Sequence, residues 1–170
     1  MTQKKILIIE KSPAGALGLR KAKERGCYVI FIGSDKYANR VNENDRQYID
    51  EQYIADTNNY TEVLAFADEI SKKHKIDGVF VFMEFYVELG ALVAEKLGLN
   101  FIKPSAAIGT RNKYIMRAKL KENSLRVPGF TLIDMNTQIE EFAENAEYPN
   151  VLKAINLLNQ FRPFVIAFSR

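Results

Sequence analysis

Lys113 and Lys153 are the residues of this chain whose type and setting best fit chemistry, and they stand forty positions apart. Lys113 lies in Asn112-Lys113-Tyr114-Ile115-Met116-Arg117, and Lys153 closes Tyr148-Pro149-Asn150-Val151-Leu152-Lys153. Phosphoryl chemistry needs fixed positive charge along a polyphosphate, because negative charge accumulates on the oxygens being displaced. Lysine supplies that charge as a compact point. Two lysines set in this way could grip one nucleotide from two sides. Lys153 is flanked by Val151, Leu152 and Ile155, so a strand there would bury its ammonium at a cost that a ligand anion could relieve. The alternative is a lysine that reaches solvent from an edge strand.

Glu84 is the third candidate. It follows the apolar run Val79-Phe80-Val81-Phe82 and opens a helical pattern. In an open parallel sheet, ligands bind beyond the carboxyl ends of the strands. A carboxylate there could hold an ammonium or hydroxyl group of a substrate, or could simply cap the helix. Other features point to structure. Gly15 and Gly18 form half of a GxGxxG pattern, without a first close pair, and fit a helix packed tightly on its sheet better than a dinucleotide loop. His74, the only histidine, reads as an exposed helix-end residue among Lys72, Lys73 and Lys75, and a histidine metal cluster is excluded. The single cysteine, Cys27, excludes an internal disulfide framework and reads as an inert thiol.

These groups need a scaffold, and the pattern along the chain supplies one. Ile6-Leu7-Ile8-Ile9, Tyr28-Val29-Ile30-Phe31-Ile32 and Val79-Phe80-Val81-Phe82 are continuous apolar runs of strand length, as expected for strands covered on both faces. Gln52-Tyr53-Ile54 and Asn100-Phe101-Ile102 are shorter candidates. Ser12 as N-cap and Pro13 at the first helical position start a helix that Gly26 closes. The region from Lys36 to Asp50 is polar, with room for one short helix. A helix begins at Asn58-Asn59, with Val63, Phe66, Ala67 and Ile70 on one face. Another runs from Glu84 to Leu97 and stops at Gly98, with Val87, Ala91, Ala94 and Leu97 inward. A boundary falls near Lys103-Pro104-Ser105. Beyond it come a helix over Asn112–Glu122 with Ile115, Met116 and Leu120 inward, an acidic helix over Thr137–Ala146, a strand over Val151–Ile155, and an apolar run over Phe164–Phe168. The expected class is therefore α/β, with a parallel-sheet domain over residues 1–103 and a second region over 104–170.

Bulk properties exclude several classes. A net charge of +3 gives no argument for nucleic acid. The charge is unevenly placed: seven basic residues and one acid lie between Lys103 and Arg126, then five acids and no base between Asp134 and Asn150. The basic block fits an anion such as phosphate, although most of its lysines also fit a solvated helix face. No stretch approaches the roughly 18 apolar residues of a membrane span, and the first apolar run is too short for a signal peptide. A cytoplasmic location is expected.

At these residues the chain resembles the ATP-grasp superfamily, in its amino-acid ligase and biotin carboxylase-like branches. The matching elements, in order, are Glu84 opening a helix, Ala94-Glu95-Lys96-Leu97-Gly98-Leu99, Asn112-Lys113-Tyr114-Ile115-Met116-Arg117, Val127-Pro128-Gly129-Phe130, and Tyr148-Pro149 with Val151-Leu152-Lys153. The resemblance as a whole covers roughly residues 4–155. Asn112 replaces the family's usual Asp. The resemblance implies a pre-ATP-grasp, Rossmann-like α/β domain followed by a partial α+β small lobe of the nucleotide-clasping fold. It implies that Lys113 and Lys153 contact ATP phosphates or the adenine edge, and that Glu84 belongs to a substrate site. Family members activate a carboxylate as an acyl-phosphate and pass it to an amine or similar nucleophile. The family's Gly-rich loop after the second lysine has no counterpart in residues 154–161, and its Mg²⁺-binding lobe would lie beyond residue 170. The expectation is thus a truncated ligase, inactive alone, with no catalytic or metal-ligating residue of its own and with Mg²⁺ needed only by a longer relative. Expected partners are ATP, a small carboxylate and a second copy of the chain. A non-enzymatic small-molecule-binding or oligomerisation module is the alternative, with a Rossmann-like dinucleotide binder third.

Overall fold

The computed structural model describes residues 2–11, 15–34, 41–133, 143–145, 150–153, 155 and 164–166. The chain divides into two compact units, Met1–Ala107 and Ile108–Arg170.

The first unit is built on β1 (Lys5–Ile9), β2 (Tyr28–Gly33), β3 (Glu51–Ile54) and β4 (Gly78–Val81). The order across the sheet is β3-β2-β1-β4, and every pair is parallel. This is the parallel sheet that the apolar runs predict. Because side chains alternate along a strand, each run feeds two cores. Leu7, Ile9, Ile30, Ile32 and Val79 face α3 (Tyr60–Lys73) and α4 (Val87–Lys96). Ile6, Ile8, Val29 and Phe31 share the other face with Leu19 of α1 (Gly15–Glu24). The expected face holds on α3, where Val63, Ala67 and Ile70 are buried; on α4 Ala91 and Ala94 are buried as expected, but Leu89 and Val93 are buried in addition and Val87 and Leu97 only half-buried. Asn59 caps α3, accepting from the Glu62 amide at 3.3 Å. Gly98 ends α4 with φ 65°, where a side chain is disfavoured. The polar stretch before β3 contains one short helix, α2 (Glu43–Arg46). Ser12 and Pro13 lie outside the described residues.

Three expectations need correction. Asn100-Phe101-Ile102 does not join the sheet, which has four strands among the described residues. The turn at Gly98 ties the Leu99 amide back to Ala94, Phe101 packs into the core beside Gly90, and Pro104 has no amide to extend a ladder. Pro104 instead starts α5 (Pro104–Arg111), a helix the sequence reading did not anticipate. On α6 (Lys113–Glu122) no residue is buried, and Met116, expected inward, is exposed.

In the second unit, Asn112 caps α6 by accepting from the Ile115 amide at 2.9 Å. Tyr114 meets Phe130 edge to face, with ring centroids 5.6 Å apart. β5 (Asn150–Leu152) pairs antiparallel with β6 (Phe164–Ile166). Most of the expected acidic helix lies outside the described residues; 143–145 are helical. Among the described residues, no helix is long and apolar enough to cross a membrane, and no group of His, Cys, Asp and Glu side chains could hold a metal ion.

Candidate functional site

The carboxyl edge of the parallel sheet gathers the polar side chains that the core excludes. Glu10 follows β1 directly, is 1% exposed, and has φ 54°. A side chain in that left-handed region costs about 1–2 kcal/mol, so the surroundings must hold it there. They do so from two neighbouring strand ends. The Ser34 amide, after β2, donates to Glu10 Oε1 at 2.8 Å. The Thr57 hydroxyl, after β3, reaches the same oxygen at 2.9 Å. Thr57 also meets the Tyr86 hydroxyl at 3.3 Å, which brings in the segment after β4.

Glu84 sits in that last segment. It begins a single 3₁₀ turn, Glu84–Tyr86, that leads into α4. No side chain caps this turn, and Glu84 is exposed whereas Tyr86 is buried. The sequence expectation therefore places Glu84 correctly at the carboxyl edge, while the helix proper begins at Val87.

Lys11, next after Glu10, points to the other face of the sheet. Its ammonium lies 2.5 Å from Asp45 Oδ2, with the two side chains 3% and 6% exposed. Asp45 belongs to α2, so this buried ion pair fastens the segment between β2 and β3 onto the end of β1. Gly15 and Gly18 pack against the Phe82 ring, and a Cβ at Gly18 would fall 2.3 Å from its Cζ. The two glycines thus make room for an aromatic ring, as the tight-packing alternative requires.

The opposite edge of the sheet carries a second polar cluster. His74 is not the exposed helix-end residue that the neighbouring lysines suggested. It is 14% exposed, with Nε2 2.8 Å from Glu51 Oε1 and Nδ1 2.9 Å from Lys5 Nζ. An ammonium only donates, so Nδ1 accepts and the ring hydrogen sits on Nε2, donating to Glu51. The Tyr28 hydroxyl donates to Glu51 at 2.7 Å, and that bond, with burial, pushes the phenol up to about 12. The same bond from Tyr28 holds the Glu51 carboxyl below its ordinary value. Burial, and then a bond to Glu51, raise Tyr53. Lys5, Tyr28 and Glu51 are the first residues of their strands, so this cluster staples the amino edge.

In the second unit, Lys113 is the first residue of α6 and is partly buried. Its amide donates to Ile155 O at 3.3 Å, two residues beyond Lys153. The backbone therefore brings the surroundings of both candidate lysines together. Lys153 itself lies just past β5 and is exposed. The expected burial within a strand is corrected: its ammonium reaches solvent and needs no anion to offset desolvation. Glu10, Thr57 and Tyr86 were not singled out from sequence. Glu10 reads there as the end of an apolar run, and only its φ and burial mark it.

Residues 19–100 match the family model for the ATP-grasp N-terminal domain. An L-amino acid ligase from Bacillus licheniformis has a similar structure, with TM-score 0.75 and 20% identity over 92% of this chain and 38% of that one. A phosphoribosylglycinamide synthetase from Anaerococcus prevotii gives 0.69 and 24% over 92% and 38%. An N5-carboxyaminoimidazole ribonucleotide synthetase from Thermotoga maritima gives 0.64 and 23% over 91% and 39%. The chain thus spans about two fifths of the length of these enzymes. No curated protein sequence matches it.

Proposed function

Because residues 19–100 match the ATP-grasp N-terminal domain, we propose that this chain is the N-terminal portion of an ATP-dependent carboxylate–amine ligase, or a close variant of one, acting through an acyl-phosphate. The observation that carries this reading is the bond from the Lys113 amide to Ile155 O, which sets a helix-start lysine beside the segment of a second lysine. Lys113 and Lys153 fit a polyphosphate in charge, and Lys153 is open to solvent. Their role is to hold ATP phosphates or the adenine edge. Glu84, exposed beyond β4, is suited to an ammonium or hydroxyl group of the substrate. In this reading the chain binds nucleotide without turning it over, and Mg²⁺ is needed only by a full-length ligase. Relatives crystallised with ADP and with MgADP support a nucleotide as the ligand. A cytoplasmic setting and a small carboxylate partner complete the proposal. Calorimetric titration of ATP with Mg²⁺ tests it: micromolar binding that Lys153→Ala abolishes is expected.

A second reading has its own support. The two edge strands of the sheet expose large apolar side chains, Ile54 on β3 at 58% and Phe80 on β4 at 48%. Such surface favours self-association, so a binding or oligomerisation module remains the alternative. A stable dimer in sedimentation analysis without nucleotide binding would select it.

A further inference from the structure

We propose that Glu10, Thr57 and Tyr86 form a fixed hydrogen-bond relay that positions the Glu84 turn for the substrate. This inference rests on the reading of Glu84 as a substrate contact.

The direction of the relay follows from the chemistry of its members. Glu10 Oε1 accepts from the Ser34 amide, which can only donate. The same oxygen lies 2.9 Å from Thr57 Oγ1, so the threonine must donate to it. A hydroxyl has one hydrogen. With that hydrogen committed, the 3.3 Å contact between Thr57 and Tyr86 can be a hydrogen bond only if the tyrosine donates. Tyr86 O–H, Thr57 O–H and Glu10 Oε1 therefore form a one-way chain from the turn after β4 to the end of β1. Each link is buried: Thr57 is fully buried, and Glu10 and Tyr86 are nearly so. Buried chains of this kind hold their geometry, since breaking one link leaves a polar group without water.

What the relay holds is the functional edge. Tyr86 is the buried residue of the turn that begins at the exposed Glu84. No side chain caps the turn, so a hydroxyl anchored beyond β3, three strands away, fixes how Glu84 leaves the sheet. The left-handed backbone at Glu10 is consistent with this use. Strain of that sort persists where the surroundings over-determine it, and here the segments after β2 and β3 converge on one carboxylate. Substrate-holding groups lose function when their supports are loose, which gives the relay its purpose. Glu10, Thr57 and Tyr86 are thus positioning residues that act through Glu84.

The test uses isosteric changes and the full chain. Thr57→Val keeps the shape and removes the hydroxyl, Thr57→Ser keeps the hydroxyl, and Tyr86→Phe removes only the donor. Backbone amide NMR signals of residues 84–87 are read with L-alanine as the amine-bearing probe. Thr57→Val and Tyr86→Phe are expected to shift the signals of 84–87 while leaving Lys5, Tyr28 and Glu51 unchanged, and Thr57→Ser is expected to restore the native pattern. L-alanine affinity should fall by roughly tenfold in both hydroxyl-deleted variants and recover in Thr57→Ser. Unchanged signals at 84–87, equal disturbance by serine and valine, or unaltered alanine affinity in the deleted variants overturns the relay. If native protein shows no alanine response at all, the substrate reading of Glu84 fails, and the 84–87 pattern alone decides whether the relay orders the turn.

Discussion

The Lys113 amide and the Ile155 carbonyl oxygen are joined at 3.3 Å, so the start of α6 is bonded to the segment that follows β5. Asn112 takes the first-turn amide of Ile115. Either an Asn or an Asp can make that cap, which explains why Asn112 serves where the family resemblance leads one to expect an aspartate. Asn112→Ala should cost about 1 kcal/mol of stability, whereas Asn112→Asp should cost little. Urea denaturation of both variants checks this. Equal stability of the alanine variant and the native chain would show that the cap is unimportant.

Gly18 must stay small. A methyl there meets the Phe82 ring at 2.3 Å, inside any real contact. Alanine gains about 1 kcal/mol in helix propensity over glycine, but overpacking costs about 1–3 kcal/mol. Net destabilisation is therefore expected for Gly18→Ala in a denaturant series, with recovery when Phe82→Leu is added. Stabilisation by Gly18→Ala alone would mean that α1 does not press on Phe82.

The Lys11–Asp45 pair gives a sharper contrast. Removing one partner leaves a buried charge, so Asp45→Ala should destabilise by about 3–5 kcal/mol. The paired replacement of Lys11→Met with Asp45→Leu should recover most of that loss. A double-mutant cycle in urea measures the coupling. A coupling near zero would contradict a buried contact.

At the amino edge, Tyr28 and Glu51 predict stability at both ends of the pH scale. The Tyr28 phenol is raised in the fold to about 12 from an ordinary 10. Its stabilising bond is therefore complete below pH 10 and is lost as pH rises through 12. Glu51 is lowered, so its contribution is present above the ordinary carboxylate range and is lost as pH falls through the folded value. Denaturant midpoints followed across pH should fall at both extremes, and Tyr28→Phe should flatten the alkaline limb. An ordinary phenolate titration of Tyr28 by ultraviolet absorbance would overturn this account.

The sequence disclosed this architecture unevenly. Continuous apolar runs made β1, β2 and β4 visible, although only β1 and β2 are covered on both faces and β4 exposes Phe80 at the edge, and the Asn59 and Gly98 signals bounded their helices. Phe101 misled because an aromatic beside an isoleucine reads as strand when its ring is in fact a core plug held by the turn at Gly98. The position of Glu84 beyond β4 was legible, because it follows directly from the apolar run. The site was not legible where it depends on convergence. Glu10, Ser34, Thr57 and Tyr86 are spread over 76 positions and carry no shared spacing; only the parallel sheet brings them together. His74 failed for the same reason, since its partners lie on strands distant in sequence. Lys153 shows the reverse error: apolar neighbours suggested burial, but the strand ends one residue earlier.

The central claim is a shared polyphosphate site at Lys113 and Lys153, and calorimetric titration of ATP with Mg²⁺ into the native chain and the two alanine variants tests it most directly. Micromolar binding is expected for the native chain. Lys113→Ala and Lys153→Ala should each weaken it at least tenfold, and the double variant should lose less than the sum of the two free energies, because both ammonium groups act on one ligand. Full-strength binding in both single variants, or no binding in the native chain, would contradict the account.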